Sequence, residues 1–176
     1  ENNKISNSYK DYEFDIIRYF SLSSRFSQEE FEKTESEEIA YKTYKSAYEH
    51  YNSKIKISAE KVFPVIKNVY ENPSNNFERI VVPFTDGKKT LNVVSDLKLA
   101  YESRGETLIK DFEKNISLAI IDESWKNHLR KMDELKQSVQ LAVHEQKDPL
   151  VIYKFEAFKL FQTTLNEINK KIISFL

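Results

Sequence analysis

The scarcity of glycine and proline constrains this chain more than any other feature. Its 176 residues include two glycines and four prolines, and neither type occurs between Glu106 and Gln146. Within that stretch, apolar residues recur every three or four positions, which is the spacing of one face of an α-helix. The stretch therefore predicts a single helix of about 40 residues, about 60 Å long at a rise of 1.5 Å per residue.

A helix break follows at Gln146-Lys147-Asp148-Pro149. A residue before proline avoids helical backbone angles, so Asp148 is expected to leave the first helix. Its carboxylate can then cap a second helix that has Pro149 in its first turn. Two long helices joined by a short turn pack antiparallel. The sequence thus predicts a two-helix hairpin over residues 106–176, with its turn at about 145–149.

The second helix carries an apolar stripe with alternating spacings of three and four residues, which is typical of a coiled-coil-like contact. We expect this stripe to interdigitate with apolar residues of the first helix, including Phe112, Ile116 and Val139, and to include Ile168. The residues assigned to this structural seam are Trp125, Met132, Phe155, Phe158, Phe161 and Leu165.

Residues 1–105 predict a separate helical subdomain. Two S/T-x-x-E patterns, Ser27 with Glu30 and Thr34 with Glu37, are typical of helix N-termini. Two helical segments follow, at roughly 35–55 and 58–71, and Pro64 starts or kinks the second one.

A change of pattern over about 78–94 predicts a β-hairpin. Two β-branched runs flank a turn that contains Gly87, and Pro83 places its strand at a sheet edge. Ser95 is then expected to cap a short helix over 96–104 that Gly105 ends. The fold class is therefore mainly α, a helical subdomain with a small β-hairpin followed by a long antiparallel two-helix hairpin.

Composition excludes several classes of function. Lys and Arg total 27 against 28 Asp and Glu, so no net charge attracts nucleic acid. There are no cysteines, which excludes disulfides and thiolate metal sites and suits a cytoplasmic protein. Apolar runs of about four residues are too short to span a membrane.

No catalytic, cofactor or metal site is predicted in this chain. None of His50, His128 and His144 has a histidine or carboxylate three or four residues before it, and a metal site on a helix would need such a partner. His144 has Asp148 four residues after it, but the helix is expected to end between them. Two glycines cannot supply a phosphate-binding loop.

The hairpin sequence contains two long motifs, W-K-x-H-L-x-x-M-D-x-L, which begins at Trp125, and Q-K-D-P-L-x-x-Y-K-x-E-x-F, which begins at Gln146. Through these motifs it resembles the C-terminal helical region of the SecA family, bacterial preprotein translocase ATPases. The resemblance covers about residues 106–176. By position, residues 1–105 look like the helical wing domain that precedes this hairpin in the family, although the β-hairpin departs from the expected wing pattern.

The resemblance implies that residues 106–176 are the two-helix finger, whose tip contacts the channel and the translocating polypeptide and which restrains ATP hydrolysis. Where the family's tip usually has arginine and tyrosine, this sequence has Ala142 and His144. The implied fingertip residues are Val143, His144, Glu145, Gln146 and Lys147.

The resemblance also implies a full-length translocase that uses ATP and magnesium in other domains. Its implied partners are the SecYEG channel, unfolded preproteins and the SecA motor domains, with an anionic membrane surface and a homodimer as further candidates. Its implied location is the cytoplasmic face of the cytoplasmic membrane. The alternative is a non-catalytic scaffold or adaptor module that acts through helix packing or dimerisation.

Overall fold

The computed structural model describes residues 8–72, 77–85, 90–141 and 148–176. The fold is mainly α with one small antiparallel sheet, as predicted. The chain divides into two compact units, Glu1–Asn115 with Leu176, and Ile116–Phe175. None of the described helices combines the length and the apolar character needed to cross a membrane.

The first two helices pack through aromatic rings. Helix α1 is Tyr9–Phe20 and helix α2 is Gln28–Lys33. Ser27 and Glu30 form the predicted capping box at the start of α2, and these hydrogen bonds from Ser27 lower the pKa of the exposed Glu30 carboxyl. A small core gathers here, made of Phe26, Phe31, Ile39, Tyr9 and Tyr12.

Helix α3 runs without a break through Ser36–Glu71, where the sequence predicted two segments. Pro64 lies inside it and removes one backbone hydrogen-bond donor, whereas buried residues on either side, Ala59 and Ile66, hold the helix together through packing. The second predicted capping box is also wrong. Thr34 ends α2, and the residue before α3 is Glu35, which makes no side-chain capping bond.

The predicted β-hairpin is present as strands β1, Arg79–Thr85, and β2, Thr90–Asp96. They pair antiparallel, with Val81 opposite Val94 and Pro83 opposite Asn92. One face of the pair is packed and the other is exposed. The packed side chains join Ile66 and Leu108 in the larger core, which includes Ile80, Val93, Leu97 and Ala100.

A short helix, α4, Leu97–Glu102, follows the hairpin. Its cap is Asp96, which accepts from the Leu99 N–H at 2.8 Å, and not Ser95 as predicted. Ser95 instead lies buried in β2 and donates to Asp111 at 2.5 Å. Gly105 ends the turn with φ of 95°, a conformation that favours glycine.

The two long helices are α5, Glu106–Leu141, and α6, Pro149–Phe175. The Leu150 N–H donates to the Asp148 carboxylate at 2.9 Å, which confirms the predicted start of α6. The predicted tip, Val143 to Lys147, lies outside the described residues.

Candidate binding face of the helical hairpin

The contact between α5 and α6 has a polar centre. His128 and Thr164 are both buried, and His128 Nδ1 lies 3.1 Å from Thr164 Oγ1. The Thr164 hydroxyl also donates to the Leu160 carbonyl at 2.9 Å. Since a hydroxyl has a single proton to donate, His128 Nδ1–H must be the donor to Thr164. This hydrogen bond fixes the position of one helix against the other.

Three more buried residues continue this contact line. Ser124 lies one helical turn before His128, Val139 lies towards the end of α5, and Ile168 lies one turn after Thr164. The Ser124 hydroxyl is buried without a hydrogen-bond partner. Small and polar residues therefore form much of the close contact between the two helices.

The predicted seam agrees with these burial values at some positions and differs from them at others. Phe155 and Phe158 are 59% and 58% exposed, and Trp125 and Leu165 are 43% and 42% exposed. The contact line on α6 passes through Thr164 and Ile168, one residue away from the predicted stripe at Leu165. Ile168 and Val139 are buried as expected, and Met132 is half-buried.

Five of the six seam residues, all except Met132, belong to an exposed apolar face of the hairpin. Two stripes with helical spacing, one on each helix, are joined where the Trp125 and Phe161 rings meet edge to face at 6.5 Å. Trp125 also lies 5.1 Å from the His128 ring. We call this surface the apolar face; its residues are Leu118, Ile121, Trp125, Leu129, Val151, Phe155, Phe158, Phe161 and Leu165.

A polar groove of about 330 Å³ lies along the same helix pair. It is lined by both signs of charge, with Arg130, Lys131 and Lys171 near Glu134 and Glu167. Lys126, also on α5, pairs with Asp122 at 2.6 Å. The basic residues of α5 therefore do not form a surface of one sign, which weakens the expectation of an anionic membrane contact here.

The described residues contain no group of three or more side chains able to hold a metal ion. The apolar face is the candidate binding surface of the hairpin. Sequence periodicity found the apolar residues and placed Val139 and Ile168 correctly at the helix contact, whereas Phe155 and Phe158 lie on the exposed face. The i, i+4 pair of Ser124 and His128 marks the actual contact line, and apolar periodicity does not detect it because both residues are polar.

Comparison with known proteins gives the family of the chain. The family described as SecA Wing and Scaffold domain matches residues 2–176. The chain is 62% identical over its full length to the protein translocase subunit SecA of Christiangramia forsetii and 61% identical to that of Flavobacterium psychrophilum. It is 43% identical over 97% of its length to the SecA subunit of Bacteroides thetaiotaomicron.

The chain spans 16% of the length of each of these three relatives. No solved structure matches it. The family match covers both the β-hairpin subdomain and the helical hairpin, so the chain belongs to the SecA wing and scaffold domain family.

Proposed function

We propose that this chain supplies the wing and two-helix finger of a preprotein translocase motor. The finger is the α5–α6 hairpin, and it acts as a stiff lever whose tip contacts the channel and the moving polypeptide. The observation that carries this proposal is the hairpin itself, which has long unbroken helices, a hydrogen-bonded centre at His128 and Thr164, and a capped start of α6 at Asp148.

Nucleotide chemistry is assigned to the part of the full-length protein outside these residues. The two glycines are far apart in the sequence, and Gly105 already occupies a tight turn against α3. The residues present therefore do not fit a phosphate-binding loop for ATP with magnesium. In this proposal the hairpin restrains that distant ATPase and relays its motion to the SecYEG channel at the cytoplasmic face of the membrane.

The test is made in the full-length protein, by ATP-dependent transport of a preprotein into membrane vesicles that contain SecYEG. Replacing the tip residue, His144→Ala and His144→Gly, is expected to lower transport while leaving nucleotide binding intact. Asn169→Ala, on an exposed position of α6 far from the tip, is the matched control and is expected to transport normally. Normal transport by both tip variants would refute the finger role.

A second candidate is the scaffold function, which the apolar face favours. A monomer rarely leaves such a contiguous apolar surface uncovered unless it binds something. In this alternative, α5 and α6 hold other domains or a second copy together and the tip is inert. Phe155→Ser with Phe158→Ser would then disrupt domain assembly or dimerisation, as measured by sedimentation, while His144 variants behave as wild type.

A further inference from the structure

The hydrogen-bond register of the β-hairpin shows which main-chain groups point away from it. The Leu97 N–H donates to the Glu78 carbonyl at 3.0 Å, and these two residues continue the β1–β2 register directly. Antiparallel pairs alternate between hydrogen-bonded and non-hydrogen-bonded. Counting from Glu78 and Leu97, the pair of Val81 with Val94 and the pair of Pro83 with Asn92 are non-hydrogen-bonded. Their main-chain groups therefore point outward, to the two edges of the sheet.

The two edges differ in chemistry. On β1, Pro83 has no N–H to offer, which discourages strand pairing. Arg79 and Asp96 lie opposite each other at one end of the pair and place one charge on each edge, so Pro83 is the feature that distinguishes the two edges. On β2, the run Thr90–Ser95 contains neither proline nor charge. The β2 residues of the outward pairs are all exposed, namely Thr90, Asn92, Val94 and Asp96. Within the described ranges, no third strand pairs with this sheet.

We propose that the outer edge of β2 binds an extended polypeptide segment, which adds to the sheet as a third strand at Thr90, Asn92 and Val94. Outward N–H and C=O groups spaced two residues apart are matched by another extended backbone. The apolar pair Val81 and Val94, 57% and 49% exposed, lies on the open face beside this edge and gives side chains of the added strand a surface to contact.

In strand addition the main-chain hydrogen bonds supply the affinity and the side chains add only weak selectivity, so the edge accepts peptides of many sequences. This property suits a chain that handles varied preproteins, and the choice of an unfolded polypeptide as the occupant rests on the proposed function. The edge itself follows from the register and from the position of Pro83, and it does not depend on the fingertip.

The experiment measures amide hydrogen exchange of the full-length protein with a ten-residue peptide of alternating valine and threonine. An otherwise identical peptide, N-methylated at alternate residues, cannot complete a ladder and is the ligand control. Free outward amides exchange quickly. At a peptide concentration of ten times its dissociation constant, exchange at Asn92 and Val94 is expected to slow about tenfold, and the N-methylated peptide is expected to leave it unchanged.

The matched variants are Val94→Pro and Val81→Pro, since these residues lie opposite each other in a non-hydrogen-bonded pair. Each removes one outward N–H and leaves the β1–β2 ladder intact. Val94→Pro is expected to abolish the protection at Asn92, and Val81→Pro to retain it. If either proline variant unfolds the hairpin, Val94→Lys and Val81→Lys are used in place of the proline variants. The lysine of Val94→Lys, which lies on the β2 edge, is expected to weaken peptide binding, and Val81→Lys is expected to retain it.

Several results overturn the proposal. Absence of protection, or equal protection by the two peptides or in the two variants, excludes strand addition. If these amides are already protected from exchange without peptide, and the protection increases with protein concentration, a second copy of the protein occupies the edge. If the protection without peptide does not depend on protein concentration, another segment of the same protein occupies the edge. Each leaves the transport test at His144 unaffected, so failure here is distinct from failure of the finger role.

Discussion

His128 donates a hydrogen bond across the α5–α6 contact to the hydroxyl of Thr164, with 3.1 Å between Nδ1 and Oγ1. Both residues are buried, at 6% and 5% exposure, and both lie at the wall of the polar groove. The pair resembles single buried polar contacts in coiled coils, which fix the register of helices at some cost in stability. The tautomer of His128 is set by Thr164, whose own proton is donated to Leu160.

Replacing Thr164 with valine tests this relationship. Thr164→Val keeps the shape of the side chain but leaves the buried Nδ1–H of His128 without an acceptor, which is expected to cost about 1–3 kcal/mol of unfolding free energy. The matched control is Thr163→Val, because the exposed Thr163 hydroxyl only donates to its own helix at Lys159. Denaturant unfolding measures both variants. Equal midpoints for the two would show that the His128–Thr164 bond contributes nothing to stability.

The polar contact between α5 and α6 also shows which parts of the structure could be predicted from the sequence and which could not. Element types depend on local patterns, and these patterns were sufficient for α5, for the Asp148–Pro149 start of α6 and for the β-hairpin. The contact line between α5 and α6 depends instead on how one helix rotates against the other. An apolar stripe wider than a single contact line does not determine that rotation, which is why Phe155 and Phe158 were placed in the seam.

Local signals also failed where two capping residues competed. Thr34 and Ser95 both have the chemistry of a helix cap, yet Glu35 and Asp96 precede the helices in the structure. Ser95 is drawn into β2 because its side chain faces the core and meets Asp111. Such a partner, 16 residues away in the sequence, is invisible to a motif of four residues.

Gly105 is expected to tolerate no side chain. Its φ is 95°, and a Cβ there would lie 2.8 Å from the main-chain oxygen of Ala59 in α3. Gly105→Ala therefore introduces backbone strain of about 1–3 kcal/mol, and the clash with a carbonyl adds to it. Thermal unfolding is expected to shift down by at least several degrees, at about 2–4 °C per kcal/mol for a chain of this size.

The control for Gly105 is Glu102→Ala, an exposed position in the helix α4, where alanine is well tolerated. Its expected change is within about 0.5 kcal/mol. A melting temperature for Gly105→Ala as high as that of the control would mean that α3 and the α4–α5 turn do not approach as closely as the structure shows.

Tyr51 gives the protein a pH dependence in the alkaline range. Burial, together with the 2.8 Å hydrogen bond to Glu113, raises the pKa of Tyr51 to about 12. The ordinary tyrosine pKa is about 10, so above that pH the unfolded chain loses the proton before the folded chain does. The stabilisation is therefore full below pH 10 and is lost progressively as the pH rises to about 12.

Tyr51→Phe is expected to flatten this part of the stability profile, as measured by denaturant unfolding at several pH values between about 9 and 12. Absorbance titration of folded Tyr51→Phe is expected to show one fewer tyrosine with a raised pKa than the wild type does. The control is Tyr41→Phe, since Tyr41 is 66% exposed. The same alkaline slope in Tyr51→Phe as in the wild type would exclude Tyr51 as its source.

Two substitutions in α6 distinguish the observed helix contact from the one that periodicity predicts. Ile168 is 7% exposed and Phe158 is 58% exposed. Ile168→Ala is expected to cost about 2–5 kcal/mol, as for buried isoleucine. Phe158→Ala, which a buried seam would make costly by about 3–5 kcal/mol, is expected to change the unfolding free energy of the 176-residue chain by less than about 1 kcal/mol.

The same pair of variants also reports on what the apolar face does. If another part of the full-length protein covers Phe158, Phe158→Ala destabilises that protein much more than the 176-residue chain, while Ile168→Ala affects both alike. Denaturant unfolding of both lengths measures this difference. A large loss from Phe158→Ala in the shorter chain would instead restore the seam through Phe155, Phe158 and Leu165, and the contact line through Thr164 and Ile168 would then be wrong.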